Sequence, residues 1–419
     1  MHTLYHGCRI VTPEDPGHAL AGKDQGKVRV IEKAAMLVKD GDIAAVGGED
    51  EIRALPEAVG ADAVSLGGNC VIPGFVDPHT HMCFAARREE EFSMRLAGKS
   101  YLEILEAGGG ILSSVKAVRA ASDEYLFFMT RENALAALAS GTTTVEVKSG
   151  YGLDTETELR MLRCIRRLGE ETPLTVVPTF MGAHAIPAEH KKNPEHYVAM
   201  VTDEMLPAVA KEKLADFCDV FCETGVFSVD QSRGILEAAK KLGFPVKIHA
   251  DEVNDLGGAG LAGSVRAISA EHLLAAGDAG LQAMADAGTI AVLLPATAYS
   301  LKKPYARAKR MQELGVPVAL ATDCNPGSCF CESMPFVMGL AVMGMNLTPE
   351  EALVACTLNA AHAIGRAGTV GSLTKGKYAD FLVLDGKTPA AVPYHAGGRS
   401  VERVYKRGKL VARDGVIAG

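Results

Sequence analysis

Length, composition and charge exclude several kinds of protein at the outset. The chain has 419 residues, which suits a barrel-sized domain with a smaller accessory domain better than one small core. Its formal net charge of −8 argues against a dedicated nucleic-acid binder.

Both ends of the chain carry short strand patterns. Residues 34–47 are typical of a strand, an Asp-Gly turn and a second strand, and residues 379–386 and 401–411 show a similar pattern. We therefore predict one small composite β-sandwich built from both termini, with residues 1–69 and 370–419.

Between these ends, eight apolar, β-rich runs alternate with helical patterns. The runs are residues 70–76, 142–147, 174–180, 217–222, 244–248, 265–269, 289–294 and 316–321. Good helix formers lie between them, for example in residues 123–140, 231–242 and 281–287. Apolar strands that alternate with helices indicate a parallel sheet, and eight such units predict an α/β fold, a (β/α)₈ TIM barrel, over residues 70–369. A doubly wound open sheet is the main alternative, but no Gly-x-Gly-x-x-Gly motif follows an early strand.

Histidines and an aspartate follow several of these runs. His79 and His81 come after the first run, two residues apart, so on a strand they point to the same side. His249, His272 and Asp323 follow the fifth, sixth and eighth runs. Any one of them alone is more often a structural residue. Because barrel enzymes carry their working residues at the C-terminal ends of strands, we expect this set to converge at the barrel mouth.

This set predicts metal-assisted hydrolysis. Imidazoles and one carboxylate suit zinc or a similar cation, which lowers the pKa of a bound water toward ~7 and polarises a carbonyl group. A further histidine and the aspartate can then move protons from that water to a leaving nitrogen. The expected reaction is therefore hydrolysis at a carbonyl- or amidine-type carbon.

Three other residues have competing interpretations. Arg88 lies in the charged segment 87–91, which is equally typical of a solvated helix face. Lys148 could indicate a carboxylated lysine between two metals, but it follows the second run, whereas such a residue normally comes from the fourth strand. Glu223 ends the fourth run and is the candidate for contact with a second cation.

The motifs resemble those of the amidohydrolase superfamily and, within it, the imidazolonepropionases of histidine degradation. The resemblance is carried by Pro-His-Thr-His at 78–81 and by the segments 87–92, 108–115, 146–153, 180–185, 247–252 and 321–328. It runs through nearly the whole chain and is strongest in the predicted barrel. The segments 146–153 and 323–328 are far more specific than a His-x-His pair.

The resemblance implies a reaction and a set of residue roles. Members of the family use one bound zinc or iron ion to open the ring of 4-imidazolone-5-propanoate, which gives N-formimidoyl-L-glutamate. The implied metal ligands are His79, His81, His249 and Asp323. The implied substrate contacts are Arg88, Tyr151, His184, Glu252, Asn325, Gly327 and Ser328, and the implied proton-transfer residue is His272.

The chemistry of the side chains agrees with these roles. Arg88 could hold the propionate arm through two hydrogen bonds, and Glu252 could accept from a ring N–H group. His184, together with the metal, could stabilise the negative charge that develops on the carbonyl oxygen. We therefore expect His272, Asp323, Glu252 and His184 to take part in catalysis.

Two other functions compete with this prediction. Another amidohydrolase, such as a heterocycle deaminase or a cyclic-amide hydrolase, would share the metal site but would not need a carboxylate-binding Arg88. A non-catalytic barrel that acts as a scaffold would not need the metal ligands.

The sequence also suggests where the protein works and with what partners. The ten cysteines are scattered, and the N-terminus lacks a basic region followed by an apolar core. The longest apolar stretches are far too short for a membrane span. We expect a cytoplasmic homodimer that binds a small-molecule substrate and neither nucleic acid nor membrane.

Overall fold

The computed structural model describes residues 2–99, 103–104 and 108–418, and the strands in these ranges form two sheets. The N-terminal strands are β1 (His2–Pro13), β2 (Val28–Lys39), β3 (Asp42–Gly48), β4 (Asp62–Ser65) and β5 (Cys70–Pro73). The next eight are β6 (Phe75–Asp77), β7 (Thr142–Lys148), β8 (Thr175–Ala183), β9 (Phe217–Cys222), β10 (Val246–Ala250), β11 (Ser269–His272), β12 (Ile290–Leu293) and β13 (Val318–Leu320). The last are β14 (Phe381–Leu384), β15 (Val401–Lys406), β16 (Lys409–Arg413) and β17 (Val416–Ile417).

Strands β6 to β13 form a parallel sheet in chain order, and this confirms the predicted (β/α)₈ barrel. The first and last strands meet through hydrogen bonds beyond their ends. Asp323 N donates to His79 O at 3.1 Å, and His81 N donates to Cys324 O at 2.9 Å. The buried Asp77 carboxylate accepts from Thr322 N at 3.1 Å and from Thr322 Oγ1 at 2.5 Å. The seam of the barrel therefore lies directly beside the predicted metal ligands.

Helices connect consecutive barrel strands, and further helices follow the last barrel strand, β13. The main ones are Glu89–Leu96, Ile111–Ala120, Asp123–Ala139, Thr155–Glu171, Pro194–Met200, Leu206–Glu212, Val229–Lys241, Gly258–Ser264, Asp278–Ala287, Pro295–Ser300, Ala308–Glu313, Met334–Met345, Pro349–Ala355 and Leu358–Ala363. Polar caps start several of them: the Ser122 side chain accepts from Tyr125 N, and Ser228 forms a capping box with Gln231. None of the helices in the described ranges is both long enough and apolar enough to cross a bilayer.

The second sheet combines both ends of the chain, as predicted. Its order is β17-β16-β15-β14-β5-β1-β2-β3, with β4 paired to β1. Asp40 and Gly41 have positive φ in the turn between β2 and β3, which is the conformation that an Asp-Gly hairpin turn requires. The rings of Phe381 and Tyr405 stack at 4.4 Å between centroids in its core.

The predicted strand over residues 70–76 is wrong as one element, because it divides at Gly74. Strand β5 pairs with β1 and β14 in the terminal sheet, whereas β6 pairs with β7 in the barrel. A Cβ atom at Gly74 would lie 2.3 Å from Thr143 Oγ1, so only glycine lets the chain pass this close to β7. The domain ranges 1–69 with 370–419, and 70–369, remain a prediction.

Two barrel strands extend further than their apolar runs. The run 244–248 overlaps β10, which ends at Ala250, whereas the run 265–269 shares only Ser269 with β11, which ends at His272. The sequence pattern ended both strands too early because charged and polar residues continue them into the barrel interior. His249 and His272 therefore lie within the sheet, where the backbone ladder holds them.

Candidate active site

The predicted histidines and aspartate lie together at the C-terminal mouth of the barrel. His79 and His81 follow β6, His249 and His272 lie near the ends of β10 and β11, and Asp323 follows β13. All five side chains are buried. The parallel strands bring these positions to one edge, as the sequence pattern requires.

Four of these side chains point their polar atoms at one another. The Nε2 atoms of His81 and His249 are 3.1 Å apart. Asp323 Oδ1 lies 3.4 Å from His79 Nε2 and 3.8 Å from His81 Nε2. The rings of His79 and His249 are 4.5 Å apart between centroids. The four predicted metal ligands are therefore brought together.

The donor set fits a bound cation. Both ring nitrogens of His79 and Nδ1 of His81 are buried and have no hydrogen-bond partner among the described residues. Burial lowers the pKa of His79 and His81 well below the usual range and lowers that of His249 to about 3. Neutral imidazoles with free lone pairs are the form that binds a metal.

Asp323 is held so that one carboxylate oxygen faces the histidines. Thr297 Oγ1 donates to Asp323 Oδ2 at 2.6 Å, and Asn325 Nδ2 donates to the Asp323 backbone oxygen at 2.7 Å. The residue has a φ of 54°, which turns the chain sharply after β13. Burial raises the pKa of Asp323 to about 6.

His272 lies beside the four converging side chains. Its ring is 5.7 Å from that of His79 and 5.3 Å from that of His249, between centroids. His272 Nδ1 is 3.7 Å from Glu252 Oε1. Burial, and then the nearby Glu223, raise the pKa of Glu252 to about 7. This pair places a base and a carboxyl group next to the cation site.

Glu223 holds a loop in this structure. Its carboxylate accepts from Val253 N at 2.8 Å, from Thr224 N at 2.8 Å and from Asn254 Nδ2 at 3.2 Å. Among the described residues, it does not belong to any group of side chains close enough together to share a cation.

His184 and Tyr151 cover one side of the site. The His184 ring stacks on that of His81 at 4.7 Å, and the Tyr151 ring lies 5.3 Å from that of His184. His184 Nδ1 is 3.0 Å from Gly150 O. Burial lowers the pKa of His184 to about 4. Since a carbonyl oxygen can only accept, Nδ1 carries the proton, and Nε2 of the neutral ring is an acceptor.

Arg88 and the loop after Asp323 form the outer part of the site. Arg88 makes two hydrogen bonds with the Glu91 carboxylate, at 2.8 Å from Nε and 2.6 Å from its second nitrogen. A Cβ atom at Gly327 would lie 2.4 Å from the remaining nitrogen of Arg88. Asn325 Oδ1 accepts from Gly327 N at 2.9 Å and from Ser328 N at 2.8 Å. A cavity of about 300 Å³ lies next to Arg88 and Glu91.

A layer of buried charges lies under the metal ligands, and the sequence analysis did not predict it. We call this set the buried ion network: Glu146, Lys148, Asp219, Lys247 and Glu271, each with no solvent exposure. The available signal was the alternation of charged or polar residues with apolar ones, in Glu146-Val147-Lys148 and in Lys247-Ile248-His249.

Lys148 is the centre of this network. Its Nζ atom lies 2.6 Å from Glu146 Oε1 and 2.7 Å from Asp219 Oδ2. Burial alone would lower the pKa of Lys148, but Asp219 and Glu146 raise it above the usual range. Burial would likewise raise the pKa of Asp219, whereas His249 and Lys148 bring it well below its usual range. The Lys148 Nζ atom is therefore engaged by two carboxylates, an arrangement that suits an ammonium group and not a lysine that bridges two metals.

Comparison with known proteins agrees with this geometry. The sequence pattern of the amidohydrolase family matches residues 70–411. An imidazolonepropionase of Syntrophobacter fumaroxidans is 62% identical over 405 residues, which cover 96% of this chain and 96% of that protein. An imidazolonepropionase of Desulfotalea psychrophila is 56% identical over 412 residues, which cover 98% of this chain and 99% of that protein.

Solved structures with the same architecture are more distant in sequence. An adenosine deaminase of Xanthomonas campestris with bound zinc has a TM-score of 0.73 at 19% identity and covers 99% of this chain and 94% of its own. The guanine deaminase of E. coli has a TM-score of 0.75 at 15% identity and covers 99% of both chains. At such identities the similarity shows the fold alone.

Proposed function

This chain belongs to the amidohydrolase family, and from that premise we propose that its site hydrolyses the ring of 4-imidazolone-5-propanoate to N-formimidoyl-L-glutamate. It is a hydrolase of the histidine pathway, as its relatives named imidazolonepropionase indicate. The observation that carries the proposal is the convergence of His79, His81, His249 and Asp323 around unpartnered ring nitrogens.

We assign these four side chains as the ligands of one cation. A bound zinc(II) or iron(III) ion would supply Lewis-acid polarisation of the substrate carbonyl and would lower the pKa of water toward ~7. Thr297 keeps Asp323 Oδ1 directed at the histidines by occupying Oδ2. We propose zinc or iron as the cation, since this donor set accepts either.

His272 and Asp323 are proposed to move the protons. His272 lies beside the ligands, and its only ion-pair partner among the described residues is Glu252, at 3.7 Å. It can therefore accept a proton from the attacking water and return it to the ring nitrogen that leaves. Asp323 can share that proton through the carboxylate oxygen that faces the site.

The ring of the substrate is proposed to lie against His184, Tyr151 and Glu252. Glu252 and the free Nε2 of His184 both supply acceptors for ring N–H groups, which suits a cyclic amide. This assignment differs from the oxyanion role expected of His184, because a neutral ring bonded to Gly150 O has no second proton to donate. The Tyr151 side chain is proposed to cover the apolar face of the substrate ring.

The propionate arm is proposed to bind the free edge of Arg88. Glu91 occupies the Nε edge of the guanidinium and orients it, so the remaining edge is left for a carboxylate. Gly327 leaves room for that edge, while Asn325 and Ser328 shape the loop around it. A deaminase of neutral bases would not need this charge.

The decisive experiment is turnover of freshly made 4-imidazolone-5-propanoate, followed by loss of its ultraviolet absorbance. We expect turnover that disappears on metal removal and returns with one metal per chain by elemental analysis. Absence of turnover in fully loaded protein would contradict the substrate assignment. Two metals per chain, with one lost in Glu223→Ala, would contradict the mononuclear site.

We also propose that the enzyme is a cytoplasmic homodimer. All ten cysteines are free thiols, which suits a reducing compartment, and a closed dimer is the commonest oligomer. Native mass spectrometry tests the oligomer directly, and a mass of one chain at micromolar concentration would contradict the dimer.

A further inference from the structure

We propose that Asp219 is a positioning residue for the metal site: held by Lys148, it fixes the ring of His249 so that Nε2 faces the cation. This inference rests on the proposed metal site but not on the identity of the substrate. It also assigns a purpose to the buried ion network, in which charged residues fill a barrel interior that is usually packed with apolar side chains.

The geometry connects Asp219 to both of its neighbours. Asp219 Oδ1 lies 3.1 Å from His249 Nδ1, and Asp219 Oδ2 lies 2.7 Å from Lys148 Nζ. Asp219 is on β9 and pairs in register with Lys247 on β10, two residues before His249. Its carboxylate therefore approaches the histidine ring from below, inside the barrel.

The chemistry of this contact selects one tautomer. A carboxylate that is paired with an ammonium group can only accept, so His249 Nδ1 must donate to it. Nε2 then has a free lone pair, and it lies 3.1 Å from His81 Nε2 at the cation site. A partner of this kind fixes the orientation and raises the basicity of a metal-binding histidine.

The other two histidine ligands have no such partner. Both nitrogens of His79 and Nδ1 of His81 lack a hydrogen bond within the described residues. Ring contacts hold them instead: His81 stacks on His184 at 4.7 Å, and His79 lies 4.5 Å from His249, between centroids. We therefore expect the effect of side-chain hydrogen bonding on metal affinity to be concentrated at His249.

The buried ion network also supports the backbone that carries His79 and His81. Lys247 Nζ donates to Pro78 O at 3.0 Å. Thr80 N donates to the Glu146 carboxylate at 3.4 Å. Charged side chains of this layer therefore contact the segment that carries His79 and His81 as well as the ring of His249.

The network is not a second cation site. Donor atoms of His79, Asp219, His249 and Glu271 do lie within 4.8 Å of one another. However, Lys148 Nζ lies 2.7 Å from Asp219, and Lys247 Nζ lies 3.4 Å from Glu271. Ammonium groups already neutralise the carboxylates that a second cation would need.

The test compares Asp219→Asn with Asp380→Asn, which changes a buried aspartate of the terminal sheet that likewise pairs with a lysine, at 2.5 Å from Lys406 Nζ. In Asp219→Asn, the amide oxygen turns to Lys148 and the amide nitrogen faces His249, which selects the wrong tautomer. Zinc affinity, measured by chelator competition on the loaded protein, should fall roughly 10–100-fold in Asp219→Asn. It should stay at the wild-type value in Asp380→Asn, because Asp380 lies in the terminal sheet and not in the buried ion network.

Equal zinc affinity in Asp219→Asn and wild type would overturn the inference, and so would equal losses in both variants. If Asp219→Asn does not fold, the ¹⁵N spectrum of histidine-labelled, zinc-loaded wild type decides: His249 must carry its proton on Nδ1. If Asp219→Asn loses zinc affinity as expected but the zinc-loaded wild type does not turn over the imidazolone, the substrate assignment is refuted and this inference is left intact.

Discussion

Individual histidines in this site differ in what their nitrogens contact, and those contacts separate their roles. His249 Nδ1 contacts the Asp219 carboxylate, both ring nitrogens of His79 lack a hydrogen bond within the described ranges, and His272 faces Glu252 at 3.7 Å. A ring that contacts a carboxyl group next to the ligands is placed for proton transfer. Its removal should affect the reaction rather than the binding of the cation.

We predict that His272→Ala keeps its metal and loses most of its turnover. General acid–base catalysis is typically worth about 10²–10⁴-fold in rate, so kcat should fall by that factor. Elemental analysis and steady-state kinetics on the same sample make the measurement. His196→Ala, at an exposed histidine that contacts His190, is the control and should behave as wild type. Loss of metal in proportion to activity would make His272 a ligand instead.

We predict that Arg88→Met raises KM strongly while the metal is retained. Loss of one partner of a buried charge pair costs about 2–5 kcal/mol, and the Arg88 guanidinium is the charge assigned to the propionate. Arg87→Met is the matched control, because Arg87 is exposed and lies over the Phe330 ring at 4.8 Å. For an imidazolone without the carboxylate, KM should differ little between Arg88→Met and the wild type. An equal penalty for that compound would exclude Arg88 as the carboxylate clamp.

Among the elements, the passage from β5 to β6 is the most constrained. Gly74 joins a strand of the terminal sheet to the first barrel strand, and Gly74 N donates to Asp380 O at 2.9 Å. A side chain at this point would have to displace Thr143 on β7. The junction therefore couples the packing of the two sheets.

We predict that Gly74→Ala destabilises the protein by about 1–3 kcal/mol, the usual cost of overpacking a buried site. The added Cβ would lie 2.6 Å from Thr143 Cγ2 as well as close to Oγ1. Gly234→Ala is the control, since nothing lies within 4 Å of a Cβ on that helical glycine. It should raise the melting temperature slightly. Calorimetry that shows the same upward shift for both variants would contradict the steric argument.

At the scale of the whole molecule, the cation site spans the seam of the barrel. His79 and His81 follow the first barrel strand, His249 belongs to the fifth and Asp323 follows the eighth. β6 and β13 are the ends of the barrel strand order, and hydrogen bonds of Asp77 and Asp323 join the segments there. A cation held by these four ligands would add a further link across the seam.

We predict that chelation lowers the melting temperature of the wild-type protein. A cation at a free concentration 100 times its Kd stabilises the folded state by about 2.7 kcal/mol, because it binds the folded site and not the unfolded chain. Scanning calorimetry with and without chelator measures the shift. His79→Ala should show a much smaller shift. A wild-type melting temperature that does not respond to chelator would argue against a tightly bound cation.

The barrel and the side chains that converge at its mouth could be predicted from the sequence alone. Parallel strands put their C-terminal ends at one edge, so a histidine or aspartate at the end of an apolar run must reach the mouth. His79, His81, His249, His272 and Asp323 could be named for that reason, whereas the family resemblance implied which four of them are ligands. The hairpin turn at Asp40 and Gly41 could also be predicted, because its conformation depends only on neighbouring residues.

Contacts across the barrel could not be predicted from the sequence, because they depend on how distant strands are placed. Asp219 and His249 are 30 residues apart, and Thr297 and Asp323 are 26 residues apart. The buried ion network could not be predicted from the sequence pattern either, because a buried charged residue cannot be distinguished from a solvated one until its partners are placed. The division at Gly74 has the same cause: the atoms that exclude a side chain there belong to a different strand.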